Sequence, residues 1–184
     1  MRNILIAMVI ILMGVNMDLH AEKQEPKILI AYFSKTGNTR TVAGHIQEAT
    51  SGAIYEIVPV KPYTKGYLAT VFAAKMEQLK KTRPAIATNL ASVEPFDIVF
   101  IGYPNWWNTM PLIINTFLEY HDFAGKTIVP FATHGGSGLG KSVKDMGKLV
   151  PKATILDGIA IKAKEIESSQ EIVNEWLKQI GIVR

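Results

Sequence analysis

From residue 27 to the C-terminus, short apolar runs alternate with amphipathic stretches, and this alternation most constrains what the chain can fold into. Residues 28–33 form a run with only Tyr32 carrying a polar group, which reads as a buried strand, and 39–49 read as a helix. A second strand covers 54–60. Residues 67–81 place Leu68, Val71, Phe72, Met76 and Leu79 at helical spacing and stop before Pro84. The pattern continues with a strand over 97–102, a helix near 111–120 and a strand over 127–133. A helix over 141–149, a strand over 153–161 and a helix over 170–180 complete it. Strands that are apolar on both faces and separated by helices make a parallel sheet covered on both sides. The expected fold class is therefore α/β, a doubly wound five-stranded parallel sheet whose ligands sit beyond the strand C-termini.

The first residues stand apart from this pattern. Met1-Arg2-Asn3 gives a positive start, and 4–15 is an apolar run interrupted only by Gly14. As a helix it would reach roughly 18 Å, too short for a hydrocarbon core of about 30 Å. Leu19-His20-Ala21 then suits cleavage after Ala21. This is the layout of a secretory signal over 1–21, so a single domain is expected over 22–184 in an exported protein of the bacterial periplasm. The alternative is a buried strand at 4–6, which would leave the protein in the cytoplasm. No stable membrane span is expected in the mature chain.

Composition narrows the chemistry. Zero cysteine removes disulfides, Cys–zinc sites, iron–sulfur clusters and a thiol nucleophile. A net charge of +4, with no basic cluster longer than Lys80-Lys81, reads as a solvated surface and argues against nucleic acid as a partner. His20, His45, His121 and His134 show no metal-ligand spacing, and no metal is expected.

Three loops at strand ends carry the functional signal. Ser34-Lys35-Thr36-Gly37-Asn38-Thr39 surrounds the start of the first helix, where hydroxyls, backbone N–H groups and the helix dipole suit a phosphate. The same residues also cap helices with no ligand involved. The second loop, Gly102 to Pro111, contains Trp106 and Trp107. Indole rings in a loop pack on something flat or apolar, or else one is buried and one meets another subunit. The third loop, Gly135-Gly136-Ser137-Gly138-Leu139-Gly140-Lys141-Ser142, satisfies G-x-x-x-x-G-K-[ST]. A nucleotide-hydrolase reading of it is weakened by its place on the fourth strand. Asp157, the best magnesium-binding candidate afterwards, falls mid-strand.

Taken in order, the loops resemble the flavodoxin-like family of FMN proteins. Residues 30–39 look like its phosphate loop, S-x-T-G-x-T, residues 103–107 like its flavin-stacking loop, and 133–138 like its third loop. The resemblance covers about 27–184 and implies noncovalent FMN and strand order 2-1-3-4-5. It implies that Ser34, Lys35, Thr36, Gly37, Asn38 and Thr39 hold the phosphate. Pro104, Asn105, Trp106, Trp107 and Asn108 would line one side of the ring, and Thr133, His134, Gly135, Gly136, Ser137 and Gly138 its other edge. No dedicated catalytic residue is expected.

Two features depart from the family. The third loop has no aromatic residue, so one ring face is expected to be open to a planar molecule. The three loops also lack Asp and Glu, while Lys35, Arg40, Lys141 and Lys144 lie in or beside them. Positive charge stabilises a developing anion, so a less negative hydroquinone potential is expected than in an acidic flavodoxin. The leading expectation is an electron-transfer protein serving a redox partner protein. The alternative is an FMN-dependent NAD(P)H:quinone-type oxidoreductase acting on a small quinone-like acceptor. A nucleotide hydrolase using residues 135–142 is a remote third.

Overall fold

The structure, a computed structural model, describes residues 25–64, 66–87 and 90–184. The expected leader over 1–21 lies outside the described residues. Strands β1 (Ile28–Tyr32), β2 (Ala53–Glu56), β3 (Ile98–Pro104), β4 (Thr127–His134), β5 (Thr154–Ile155) and β6 (Ile159–Lys162) form one sheet. Its order is β2-β1-β3-β4-β5, with β6 also paired to β4, and every strand pairing is parallel. The helices are α1 (Asn38–Thr50), α2 (Tyr67–Lys80), α3 (Leu112–Tyr120), α4 (Ser142–Leu149) and α5 (Ser169–Gln179). A 3₁₀ turn over Ala163–Ser168 precedes α5.

The two-sided strands explain the layering. Neighbouring strand residues point to opposite faces, so Leu29, Val99 and Ile101 pack with Ile113 and Phe117 of α3 and Met146 of α4. Ile30, Phe100 and Val129 pack on the other face with Val42 and Ile46 of α1 and Val173 and Leu177 of α5. Helix α2 lies beside α3 and buries only Thr70 and Ala74. Among the described residues no helix is long and apolar enough to cross a membrane.

Two strands differ from the sequence expectation. The fifth strand, expected to be continuous over 153–161, is split into β5 and β6. Ile128 pairs with Ile155 and Phe131 with Ile159, so two residues of β4 face three of its neighbour. Pro130 in that gap has no N–H to give, which places a bulge there. The backbone at Gly158 lies so close that a Cβ would come 2.5 Å from the Pro130 carbonyl oxygen. Strand β2, expected to reach residue 60, ends at Glu56. Val60 instead donates its N–H to the carbonyl of Ala85, and Ala87 donates to Val58, around a single antiparallel bridge between Pro59 and Ile86.

Candidate functional site

The first candidate loop leaves β1 and enters α1. The Ser34 hydroxyl accepts the Gly37 N–H at 3.2 Å, which tightens the turn, and Gly37 takes φ 97°, where glycine avoids a Cβ clash. No side chain caps the N-terminus of α1, and its first turn contains no acidic residue. The orphan N–H groups of that turn and the positive end of the helix dipole therefore lack an anionic partner from the protein. Thr39 is buried, and its hydroxyl bonds that of Thr133 at 3.0 Å. This buried bond ties the first loop to the third.

The second loop closes on itself. Trp106 and Thr109 exchange backbone hydrogen bonds of 2.9 and 3.2 Å, and the two residues between them, Trp107 and Asn108, have φ of 53° and 66°. Two positive φ values in sequence make a type I′ turn. The turn sends the two indoles different ways. Trp106 is partly buried, edge-on to Phe33 (5.5 Å between centroids) and to Tyr63 (5.0 Å). Trp107 is exposed, donates Nε1–H to the Val71 carbonyl at 2.8 Å, and has Lys75 Nζ 4.9 Å from its ring centroid.

The third loop is fastened to the second. Asn105 accepts no hydrogen bond on its buried Oδ1, while its Nδ2 donates to the Gly138 carbonyl at 2.6 Å and its N–H to the Thr133 carbonyl at 2.8 Å. The Gly138 N–H donates to His134 Nδ1 at 3.0 Å, so the neutral imidazole carries its proton on Nε2. Lys141 donates its N–H to the Asn108 carbonyl at 2.8 Å. Ser142 is fully buried, accepts the Tyr103 hydroxyl at 2.6 Å and donates to the Leu139 carbonyl. Its hydroxyl is thus spent inside the fold and is not free for a magnesium ion, which removes the support for the nucleotide-hydrolase reading.

The three loops meet in one cleft of about 710 Å³, within the range of roughly 300–1,000 Å³ usual for small-molecule sites. Lys35, Thr36 and Asn38 come from the first loop, Pro104, Asn105, Trp106 and Trp107 from the second, and Thr133, His134 and Gly135 from the third. Ser34, Gly37, Thr39, Asn108, Gly136, Ser137 and Gly138 are not on this lining. Ser34, Gly37, Thr39, Asn108 and Gly138 shape the loops through the bonds just described, and Gly136 and Ser137 are exposed on the third loop.

Sequence reasoning missed a whole wall. Gly66, Tyr67, Thr70, Val71 and Ala74 of α2 and its entry turn also line the cleft, beside the second loop. The helical period readable in the sequence, through Leu68, Phe72 and Leu79, marks the face turned to solvent and not the one on the cleft. Helix α2 is also tied to the second loop, because Gln78 Nε2 donates to the Trp106 carbonyl at 3.2 Å. Glu77 accepts the Tyr63 hydroxyl at 3.0 Å, and burial holds the Glu77 carboxyl above its ordinary range despite that bond.

The charges around the loops also differ from the bare sequence count. Arg40 is paired with Glu56 at 2.6 Å, and Glu56 also accepts the Tyr32 hydroxyl at 3.4 Å. Asp145 of α4 reaches the second loop, accepts Thr109 Oγ1 at 3.0 Å and pairs with Lys148. Burial opposes its ionisation, but these two partners win and hold the carboxyl below its usual range.

The family model for flavodoxin matches residues 27–180. A candidate flavoprotein from Bacteroides eggerthii is 38% identical, with a TM-score of 0.75 over 84% of this chain and 98% of its own. A flavoprotein from Lactobacillus acidophilus, solved in complex with FMN, is 22% identical with a TM-score of 0.62 over 78% of this chain and 97% of its own. A Fusobacterium nucleatum flavodoxin bound to flavin mononucleotide has the same fold at 14% identity and a TM-score of 0.55, over 84% and 96% of the two chains. No curated protein matches the chain.

Proposed function

The chain belongs to the flavodoxin family, and on that premise we propose that it binds FMN noncovalently and works as an electron-transfer flavoprotein. The observation that carries this reading is the meeting of the three loops at one cleft beside an uncapped, acid-free α1 N-terminus. Thr36, Asn38 and the N–H groups of the first α1 turn suit a phosphate, with Lys35 adding charge at the cleft. The exposed indole of Trp107 and the partly buried one of Trp106 offer flat apolar surface to a tricyclic ring. The orphaned Asn105 Oδ1 is an acceptor suited to a ring N–H, and His134 Nε2–H is a donor on the third loop. FMN supplies the redox chemistry, while these residues bind and orient it.

The decisive measurement compares FMN with riboflavin, which lacks the phosphate. Oxidised-flavin absorption bands should persist through a desalting column after FMN is added. Asn38→Asp, which places a carboxylate in the first turn of α1, should weaken FMN at least about tenfold, or about 1.4 kcal/mol, and leave riboflavin nearly unchanged. Binding of neither flavin by the wild-type chain would end the proposal.

One observation favours a second reading, an FMN-dependent reductase of quinone-like acceptors. The third loop supplies no Phe, Tyr or Trp ring, since Thr133, His134 and Gly135 are its residues on the cleft lining. Turnover of NADH or NADPH with a soluble quinone, without any partner protein, is expected for such an enzyme and is absent for a carrier. Export follows from the leader expected over 1–21, and N-terminal sequencing of the native protein should begin at Glu22.

A further inference from the structure

We propose that the outward face of α2 docks the protein onto an anionic lipid bilayer, a role that stands apart from the FMN reading. The helix is amphipathic in the wrong sense for a packed element. Its buried positions are Thr70 and Ala74, whereas Leu68, Phe72 and Leu79 are 79%, 68% and 66% exposed, and Tyr67 at its start is 81% exposed. At 100° per residue, Leu68, Phe72 and Leu79 fall within an arc of about 40°, so they form one continuous stripe along the helix. Apolar stripes of that kind on a single-chain protein mark a contact surface.

The charges beside the stripe select the occupant. Lys75 borders it, about 40° from its centre at 100° per residue, Lys80 lies about 100° round on the other side, and Lys81 follows at the helix end. Glu77, the only carboxylate on α2, points the other way and accepts the Tyr63 hydroxyl. Arg83, just beyond, is already paired with Glu119 at 2.6 Å. A second copy of this chain would bring the same lysines face to face with no carboxylate of the stripe to meet them. A bilayer with anionic headgroups offers the two complementary features together, negative charge at the surface and hydrocarbon just below it. Lysine stems can lie along the apolar stripe while their ammonium groups reach the headgroups. The stripe adjoins the cleft through Tyr67, which lines the cleft, and through Trp107, whose indole donates to Val71 and lies under Lys75. Docking therefore places the cleft mouth near the membrane surface.

The absence of cysteine makes the test specific to this face. Phe72→Cys, labelled with a polarity-sensitive fluorophore in the full chain, should show a blue shift with vesicles of phosphatidylcholine and phosphatidylglycerol and little with phosphatidylcholine alone. The same label at Ile172→Cys, exposed on α5 across the sheet, should not respond. Adding Lys75→Glu and Lys80→Glu to the Phe72→Cys chain should lower the apparent vesicle affinity at least fivefold, with an unchanged circular dichroism spectrum showing that the fold is intact. A shift at neither position, or equally at both, overturns the proposal. So does a shift that appears without vesicles and grows with protein concentration, because that assigns the stripe to a second copy. A shift produced by an acidic protein but not by anionic vesicles likewise overturns it.

Discussion

Trp107 and Asn108 occupy the left-handed region together, at a cost of roughly 1–2 kcal/mol for a residue that is not glycine. Asparagine tolerates that region; tryptophan does so only when its surroundings hold it there. The Val71 carbonyl, Lys75 and the Trp106–Thr109 bonds provide the hold. The turn was illegible in the sequence because Trp-Asn is not the Asn-Gly pair that signals a type I′ hairpin. The adjacent tryptophans did announce a site, but only the turn shows that one indole is packed and the other presented. Gly140 holds the facing loop close to this turn: its φ is 57°, and a Cβ there would strike the Asn108 carbonyl. Gly140→Ala should therefore destabilise the fold by about 2 kcal/mol or more, a fall in Tm of about 4–8 °C for a chain of this size. It should also weaken FMN about tenfold by parting the second and third loops. Gly136→Ala, with open space around its Cβ and no positive φ, should stay within about 0.5 kcal/mol of wild type by thermal melting.

Helix α2 shows how far periodicity reaches at the scale of an element. Its span was legible almost to the residue, since Leu68, Val71, Phe72, Met76 and Leu79 follow a helical period. Its orientation was not, because that period marks the face turned outward. Polar ties from Tyr63, Gln78 and Trp107 set the inward face instead. The split of the fifth strand had a readable cause in Pro130, but the cause lies on the neighbouring strand, and only the register brings the two together. The burial of Glu77, which outweighs its bond from Tyr63, gives α2 a pH dependence. Burial raises the folded-state pKa of Glu77 above its ordinary value of 4.5. The folded chain therefore binds the proton more tightly than the unfolded chain. This contribution to stability is complete below about pH 4.5 and is lost as pH rises through the raised value. Glu77→Gln keeps an acceptor for Tyr63 and removes the titration. Its Tm relative to wild type should rise with pH across that window and then level off. A flat difference would mean that Glu77 does not titrate differently in the folded chain.

For the whole molecule, the topology was legible because two-sided apolar strands alternating with helices leave a parallel, doubly covered sheet as the natural solution, and its ligand loops then fall at one edge. What that logic could not supply was the field at this edge, which depends on which charges meet. Arg40 faces Glu56, and Asp145 reaches the second loop with Lys148. Among the cations counted from sequence, Lys35 is the one that lines the cleft. A unit charge about 10 Å from a developing anion contributes roughly 1 kcal/mol at an effective dielectric near 30. That is about 45 mV by the conversion of about 2.3 kcal/mol per 100 mV. Lys35→Glu reverses the charge and should therefore shift the potential of the last one-electron step in the reduction of bound FMN by about 100 mV in the negative direction, on the same conversion. Lys178→Glu makes the same change in net charge on α5, which begins just beyond Ala163 at the cleft and runs roughly 16 Å away from it. At physiological ionic strength, where the screening length is about 8 Å, an exposed charge that far away is largely screened, whereas the half-buried Lys35 at the cleft is screened much less, so Lys178→Glu should shift the potential little. Spectroelectrochemical titration of the two variants separates a local field from the overall charge. Equal shifts would assign the potential to net charge, and a wild-type couple as negative as that of an acidic flavodoxin would show that Lys35 does not govern it.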